Sequence, residues 1–355
     1  GQAFDVPVVL IPPLAVLILW PAGVYLRRSW GEVATNLRGR WAVVVPAFGF
    51  GILTLIRVYP VHIPLKAMIA WGNILVFWLV FLYAWLAWPS RWAWATFGGL
   101  LVVQGAVAVL QFALQGPIGL PVVNEVAPYP TASGASVIEA SGRRWLRAYG
   151  LTPHPNVLGG YLGMMVCFVA GAWLASPRTR RWLLAPLSLG AAGIFVSFSR
   201  SAWLGLGAAG VYAMALLRPW TRLPAMSAAQ RRRWMGIAVG VGLALVVLGA
   251  AFQDLLITRF LRLGNPLESA SIRERIRDAG QAWMLIRNRP LRGVGTGTYI
   301  EALWAWANAT GRAFPAFQHV HNVPLLAAAE LGVGGALLWL WFVAAPWVGG
   351  IVRSW

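Results

Sequence analysis

Long apolar segments recur along this chain, and short arginine-rich segments separate several of them. A helix needs about 20 apolar residues to cross the hydrocarbon core of a bilayer, and it satisfies its own backbone hydrogen bonds there. Only 11% of the residues are charged, against about 25% in a typical soluble domain. The sequence therefore predicts an all-α fold, a polytopic membrane helix bundle.

The predicted spans cover most of the chain. They lie near residues 6–25, 41–58, 66–88, 92–114, 155–175, 182–198, 200–217, 234–252 and 322–350. Residues 1–5 lead into the first span without a basic flank, so we expect the ends to be truncated relative to a longer protein. Because no internal repeat is visible, we interpret residues 1–355 as a single membrane domain.

Arginines in the short connecting segments predict the orientation of the bundle. The segments 26–40, 176–181 and 218–233 are basic, so the positive-inside rule places them in the cytoplasm. The segments 115–154 and 253–320 then face the periplasm or exterior, and 253–320 forms a large outer loop. These loops account for the net charge of +19. The predicted partner is therefore the lipid bilayer and not nucleic acid.

Part of this outer loop is predicted to be helical. In residues 271–290, Ser271 with Glu274 forms a capping box and Pro290 follows the end. The apolar residues at helical spacing are Ile272, Ile276, Ala279, Trp283 and Ile286. The charged residues that flank them are Arg273, Arg277 and Asp278. Two compatible interpretations are an amphipathic helix on the outer leaflet and a lid whose arginines face a lipid headgroup.

Polar side chains at the predicted outer ends of the spans are the candidates for chemistry. Arg200 lies between two spans with almost no loop, where a snorkelling turn residue and a functional arginine are both open. Arg147 precedes a turn-rich stretch, which favours an ordered placement over a surface charge. Asn156 is interpreted as a cap of the helix that follows it, and His154 as a loop residue.

The histidines also raise the question of a metal. His319 and His321 form a His-x-His pair that could hold zinc together with His154. The chain contains no cysteine or carboxylate cluster to complete such a site, no Asp-x-Asp motif and no P-loop. The sequence therefore predicts neither a metal nor a cofactor.

A histidine and several arginines at one membrane surface suit a particular transfer reaction. Histidine titrates near neutral pH and can take a proton from a hydroxyl. Arginines can bind a diphosphate and stabilise it as it departs. A glycan linked to polyprenyl diphosphate requires these two functions, with its lipid in the membrane and its sugar outside.

Several segments, taken in order, resemble the O-antigen ligase and polymerase superfamily. His321-Asn322, nine further residues and Gly332-Val333-Gly334-Gly335 resemble the family's His-Asn and Gly-x-x-Gly pattern at the end of the large outer loop. Ala336 departs from the small polar residue often found next. The stretch "GVGTGTY" at 293–299 resembles the Gly-x-Gly turn before the family histidine.

Three upstream segments extend the resemblance. "SIRERI" at 271–276 resembles the family's arginine segment, and "SFSRSAW" at 197–203 resembles its Ser-Arg junction. "RAYGLTPHPNVLGG" at 147–160 resembles its Arg-x-x-Gly and Pro-Asn pattern at the start of a span. The resemblance covers roughly residues 145–345, whereas residues 1–144 match only as generic spans.

The resemblance implies a GT-C-like fold in a bacterial cytoplasmic membrane. It implies an inverting, metal-independent glycosyltransferase that moves a glycan from polyprenyl diphosphate to an acceptor hydroxyl outside. His321 would be catalytic, while Arg200, Arg273 and Arg147 would bind the diphosphate. Supporting roles are expected for Asn322, Arg277, His319 and Asn156. Asn322 and Glu330 are also interpreted as a helix cap and a helix-packing partner.

The acceptor stays open at this point. Lipid A core (an O-antigen ligase), a growing glycan (a polymerase) and a protein hydroxyl (an oligosaccharyltransferase) all remain, and the nine-residue spacing favours the ligase. An alternative of another class is a solute transporter, such as a bicarbonate carrier. A transporter would place polar groups near mid-membrane and show inverted repeats. A structural scaffold would leave the arginines and histidines unexplained.

Overall fold

The computed structural model describes residues 41–58, 65–75, 91–123, 125–175, 181–218, 227–260, 266–311 and 317–354. These residues are mostly helical, as predicted. The predicted span 6–25 and the part of 66–88 beyond residue 75 lie outside the described residues. Two compact units are present: a first unit within 90–269, and a second unit that combines residues before 90 with residues 270–355.

The elements follow in chain order. The helices are α1 (Trp41–Ile56), α2 (Leu65–Leu75), α3 (Arg91–Leu114), α4 (Pro155–Ala175), α5 (Leu184–Ser197), α6 (Arg200–Leu217), α7 (Ala228–Ala251), α8 (Gln253–Phe260), α9 (Pro266–Asn288), α10 (Tyr299–Thr310), α11 (Val323–Leu331) and α12 (Val333–Ser354). The strands are β1 (Val137–Ala140) and β2 (Arg143–Leu146). Short 3-10 turns lie at Pro121–Val123 and Arg181–Leu183.

Some of these helices have the dimensions of membrane spans. Within α3 and α4, Trp94–Leu114 and Pro155–Leu174 are long and apolar enough to cross a membrane by length and composition. Shorter apolar helices lie at Trp41–Ile56, Leu65–Leu75, Arg181–Ser197 and Val333–Ala345. The predicted spans 92–114, 155–175 and 200–217 coincide closely with α3, α4 and α6.

Close helix packing in the first unit depends on small residues. Helix α5 packs against α3 and α4, and α4 also packs against α6. A Cβ atom on Gly193 would lie 2.8 Å from Cδ1 of Leu162, and one on Gly190 would lie 2.6 Å from Cδ2 of Leu101. Glycine at these positions lets the helix axes approach, which is a common basis of helix association in membranes.

An aromatic cluster lies beneath the end of α5. The fully buried ring of Phe198 packs 5.6 Å from Phe195 and 5.7 Å from Phe112, measured between ring centroids. Phe252 packs 5.6 Å from Phe112 and 5.7 Å from Phe195. Because Phe198 directly follows α5, this packing fixes the turn between α5 and α6 from inside the core.

The all-α prediction is wrong in the segment 115–154, where β1 and β2 form an antiparallel hairpin. Ser141 and Gly142 connect the strands with φ values of 53° and 72°. Positive φ at both central residues is the requirement of a type I′ hairpin turn. The strands have only four residues each, so their alternation was too short to be recognised in the sequence.

The predicted span 322–350 is also wrong as a single helix, because the chain breaks at Gly332 between α11 and α12. Gly332 has φ 80° and ψ 175°, a conformation that favours glycine. A Cβ atom there would lie 2.6 Å from the carbonyl carbon of Leu291, while the N–H of Val333 donates to the Pro290 oxygen at 2.8 Å. Contact with a distant segment therefore interrupts a continuous apolar run.

Two further boundaries differ from the prediction. Helix α9 begins at Pro266 and not at the start predicted at Ser271; proline is favourable in the first turn. On α9, Ile276 and Trp283 of the predicted apolar stripe are 68% and 55% exposed, whereas Asp278 is fully buried. Helix α7 begins at Ala228, so the arginine run at the end of the predicted loop 218–233 is helical.

Candidate functional site

The turn between α5 and α6 is the first part of the candidate site, and we call residues 197–200 the junction. Helix α5 ends at Ser197 and α6 begins at Arg200, as the sequence predicted. Phe198 adopts the left-handed conformation, with φ 47° and ψ 36°, and Ser199 is extended. Both residues are fully buried. Ser197 is buried as well, so the backbone carbonyls of Ser197 and Phe198 lie inside the protein at the C-terminal end of α5.

Arg147 binds one of these carbonyls. It is 3% exposed, and its Nε donates to the Ser197 oxygen at 2.8 Å. Its terminal nitrogens donate to Ser136 Oγ at 2.9 Å and to Asn156 Oδ1 at 2.7 Å. The structure therefore brings together Arg147, Asn156 and the junction, three parts of the predicted site.

Asn156 does not cap α4, contrary to the prediction. Its side-chain oxygen accepts from Arg147, and its own backbone N–H donates to Nδ1 of His154 at 3.1 Å. His154 directly precedes α4, which begins with Pro155. The imidazole nitrogen of His154 therefore satisfies a free N–H at the helix start, as a capping side chain does.

Arg259 was missed by the sequence analysis. It is 6% exposed and lies near the end of α8, where its Nε donates to the Phe198 oxygen at 3.2 Å. Its own carbonyl accepts from a terminal nitrogen of Arg200 at 3.3 Å. No motif distinguishes Arg259 from the other arginines of the segment 253–320, and only its burial reveals it.

Three guanidinium groups thus meet around the junction: Arg147, Arg200 and Arg259. The C-terminal end of a helix carries a partial negative charge, which stabilises nearby cations. The carbonyls of Ser197 and Phe198 carry this partial charge, and they accept hydrogen bonds from Arg147 and Arg259, respectively. Arginines grouped in this way are suited to binding a phosphate or diphosphate through pairs of N–H donors.

In the second unit, residues 317–322 carry the two histidines. The rings of His319 and Tyr299 stack with centroids 5.8 Å apart and an interplanar angle of 25°. Val320 is buried between the two exposed histidines. Asn322 Oδ1 accepts from the Leu325 N–H at 3.1 Å, so the predicted cap of α11 is confirmed. His321 is left exposed at the start of α11.

Charged groups surround His319. Partial burial and the positive charge of Lys66 lower the pKa of His319, His321 contributes in the same direction, and Glu301 opposes them. Lys66, the only lysine of the chain, forms an ion pair with Glu301. The other carboxylate oxygen of Glu301 is buried with no hydrogen-bond partner among the described residues. The sequence analysis did not single out Lys66 or Glu301.

Helix α9 is tied to the histidine segment through Asp278. Its carboxylate pairs with Arg277 at 2.9 Å and accepts from Nε2 of Gln318 at 2.8 Å. These contacts satisfy a fully buried carboxylate, which would otherwise be costly. Arg273 lies one turn before Arg277 on the same helix and is exposed. Arg277 is therefore held by an ion pair with Asp278, whereas the Arg273 side chain is exposed at the protein surface.

The Gly-x-Gly turn at 293–299 is held by Glu330. The Glu330 carboxylate accepts from the N–H of Gly297 at 2.9 Å and of Tyr299 at 3.4 Å. Its backbone oxygen accepts from the Gly295 N–H at 2.9 Å. Glu330 therefore has a structural role, as predicted, and it holds this turn and the first residue of α10. Through Tyr299, this turn supports the His319 ring.

The described residues contain no group of three or more histidine, cysteine or acidic side chains placed to hold a metal ion. His154 lies in the first unit and the other two histidines of the zinc hypothesis lie in the second. The candidate site residues are divided in the same way. The first unit contains Arg147, Asn156 and Arg200, and the second unit contains Arg273, Arg277 and residues 319–322.

Residues 185–340 match the family model described as O-antigen ligase. The matched stretch contains Arg200, Arg259, Arg273 and His321, whereas Arg147 and Asn156 precede it. No curated protein and no solved structure matches the chain.

Proposed function

Because residues 185–340 support assignment of this chain to the O-antigen ligase superfamily, we propose that it transfers a glycan from polyprenyl diphosphate to an acceptor hydroxyl. Members of this membrane protein family are glycosyltransferase-like ligases. The observation that carries the proposal is the junction inside the matched stretch, where Arg200 donates to the carbonyl of the buried Arg259 and the buried Arg147 donates to the carbonyl of Ser197. The proposed fold is GT-C-like, with the reaction on the outer side of the bacterial cytoplasmic membrane.

The arginines act on the donor. Arg200 and Arg273 bind the diphosphate, and their guanidinium groups stabilise the negative charge that develops on it during transfer. Arg147 contributes at the junction, where its bonds to Ser197 and Asn156 order the surrounding chain. Arg277, paired with the buried Asp278, supports the helix that carries Arg273.

His321 acts on the acceptor. Its exposed imidazole accepts the proton of the acceptor hydroxyl while that oxygen forms a bond to the anomeric carbon. The bond from the anomeric carbon to the diphosphate breaks, and polyprenyl diphosphate departs with the electron pair. Attack opposite the leaving group inverts the anomeric configuration. Asn322 caps the start of α11, and the His319 ring stacks on the ring of Tyr299.

The acceptor proposed is lipid A core, as in an O-antigen ligase. The test uses the purified chain in lipid nanodiscs, a glycan on undecaprenyl diphosphate as donor, and core-terminated lipopolysaccharide as acceptor. A product on the lipopolysaccharide supports the ligase. A lengthened lipid-linked glycan instead indicates a polymerase, and transfer to added protein indicates an oligosaccharyltransferase. No transfer to any acceptor contradicts the proposal.

The same assay separates the roles of the residues. Arg200→Lys and Arg273→Lys keep the charge but lose the paired N–H donors, so donor binding should weaken about tenfold to a hundredfold, from about 1.5–3 kcal/mol per charged contact. His321→Ala should bind donor normally and transfer about a hundred to ten thousand times more slowly. His319→Ala should be milder, Arg144→Lys serves as an exposed control, and EDTA should leave transfer unchanged.

A separate result would contradict the assignment of His321 as the general base. Loss of donor binding in His321→Ala, with normal transfer from whatever donor is bound, would place His321 among the diphosphate ligands. Loss of turnover in EDTA that one divalent ion restores would replace the metal-independent mechanism with a metal-dependent one.

A further inference from the structure

The bonds around the junction run in both directions between α8 and the α5–α6 turn. The side chain of Arg259 donates to the carbonyl of Phe198, and the carbonyl of Arg259 accepts from the side chain of Arg200. The two bonds close a ring that contains both arginines and the junction backbone. Movement of Arg259 would therefore displace the Phe198 carbonyl and the contact that orients Arg200 together.

Helix α8 is itself held in a fixed place. At its start, Asp254 Oδ2 accepts from the Ser141 hydroxyl at 2.8 Å, which ties α8 to the hairpin turn. In its middle, Leu255 is buried in the core of the first unit, and Thr258 is 2% exposed. Arg259 thus projects from an element that packing already immobilises, and its burial limits the conformations of its side chain.

We propose that Arg259 is a positioning residue of the donor site, which sets the orientation of Arg200. This inference rests on the proposed function. Arg147, which directly follows β2, donates to the neighbouring carbonyl of Ser197. One arginine therefore binds each of the two junction carbonyls, and we call these two contacts the clamp. The clamp explains how a turn of two residues keeps a left-handed phenylalanine and an oriented arginine in one geometry.

The test compares Arg259→Met, which keeps an apolar stem of similar length without the donor or charge, with Arg259→Lys, which keeps both without the planar fork. Each is made in the natural chain and in Arg200→Lys. The measured quantity is the affinity of the full chain, in nanodiscs, for undecaprenyl diphosphate. Arg259→Met should weaken binding about tenfold or more, as expected for one lost charge-assisted bond, and Arg259→Lys should restore part of it.

The coupling distinguishes positioning from general stability. If Arg259 acts through Arg200, Arg259→Met should cause much less additional loss in the Arg200→Lys background. Arg144→Lys, an exposed arginine of the same unit, should change nothing in either background. If Arg259→Met does not fold, Arg259→Lys carries the same comparison.

Different experimental results would contradict the positioning role of Arg259 and the proposed function of the chain. Normal binding by the natural chain, together with unchanged affinity in Arg259→Met or Arg259→Lys, would overturn the positioning role alone. So would losses that multiply independently of Arg200, with a parallel fall in thermal stability. A natural chain that does not bind undecaprenyl diphosphate would overturn the proposed function and this inference with it.

Discussion

His319 and His321 differ in their surroundings although one residue separates them. Both side chains are exposed, but the His319 ring stacks on Tyr299 and senses the charges of Lys66 and Glu301, whereas His321 lies at the start of α11. Burial and the charge of Lys66 lower the pKa of His319, so His319 stays neutral in the folded chain at neutral pH. A neutral stacked histidine is suited to supporting the loop that presents His321.

The lowered pKa of His319 predicts an acid-sensitive contribution to stability. Because the folded pKa lies below the ordinary value of 6.5, the contribution is complete above that pH and is lost as the pH falls below it. Thermal unfolding at about pH 7.5 and about pH 5 should show a smaller acid-induced loss in His319→Gln than in the natural chain. Equal losses in both would show that His319 does not contribute.

Gly159 explains part of the "PNVLGG" motif at the residue scale. A Cβ atom there would lie 2.6 Å from Cβ of Ser199 and 3.0 Å from Cβ of Ala202. Gly159 on α4 therefore lets α4 approach the junction directly. Its neighbour Gly160 faces open space among the described residues, with nothing within 4 Å of a Cβ atom.

These two glycines form a matched pair of mutants. Gly159→Ala should push the junction away from α4 and reduce donor affinity and thermal stability, at a cost of about 1–3 kcal/mol for an overpacked contact. Gly160→Ala should leave both unchanged. Donor affinity and unfolding temperature measured on both variants test this, and equal behaviour of the two would contradict the proposed contact.

At the scale of elements, the break between α11 and α12 places the Gly-x-Gly turn. The N–H of Val294 donates to the Ala329 oxygen and that of Gly295 to the Glu330 oxygen, both at 2.9 Å. These are carbonyls at the end of α11, which a continuous helix would use internally. The break at Gly332 thus frees them to hold the turn that leads into Tyr299 and α10.

A second glycine pair tests the break. Gly332→Ala introduces a Cβ atom against the Leu291 carbonyl at a residue with φ 80°, so it should loosen the 290–299 turn and reduce transfer. Gly334→Ala meets nothing within 4 Å and should be silent. Single-turnover transfer and limited proteolysis of the 290–299 segment would report the difference. Normal turnover in Gly332→Ala would show that the break is not required.

At the scale of the whole molecule, the predicted topology assigns segments from both units to the outer face. The hairpin and the junction arginines belong to the first unit, and the histidine loop to the second. If the proposed donor presents its sugar on the outer side of the membrane, both predicted outer segments, 115–154 and 253–320, should be reachable from that side.

Cysteine labelling tests this orientation. In a Cys167→Ala background, Ser133→Cys and Asn308→Cys should react with a membrane-impermeant thiol reagent applied from the outer side, because both positions are exposed. A cysteine in the basic segment 218–233, such as Ser227→Cys, should react only after lysis. The reverse pattern would invert the topology and remove the proposed site from the donor sugar.

The sequence by itself determined the features that depend on neighbouring residues. Hydropathy over 20-residue windows located α3, α4 and α6, and Asn322 before an apolar run predicted the cap of α11. The order of the motifs also predicted a resemblance to the O-antigen ligase family, whose model matches residues 185–340. These properties are local, because a span or a cap is specified by residues within a few turns of one another.

Only the tertiary structure decided the features that join distant segments. Arg259 binds the carbonyl of Phe198, 61 residues away, and Gln318 binds Asp278, 40 residues away. Gly332 ends a helix because the carbonyls of residues 290 and 291 approach it. A backbone carbonyl is present at every residue and leaves no mark in the sequence. Which one a buried arginine or glycine meets is therefore fixed only when the chain packs.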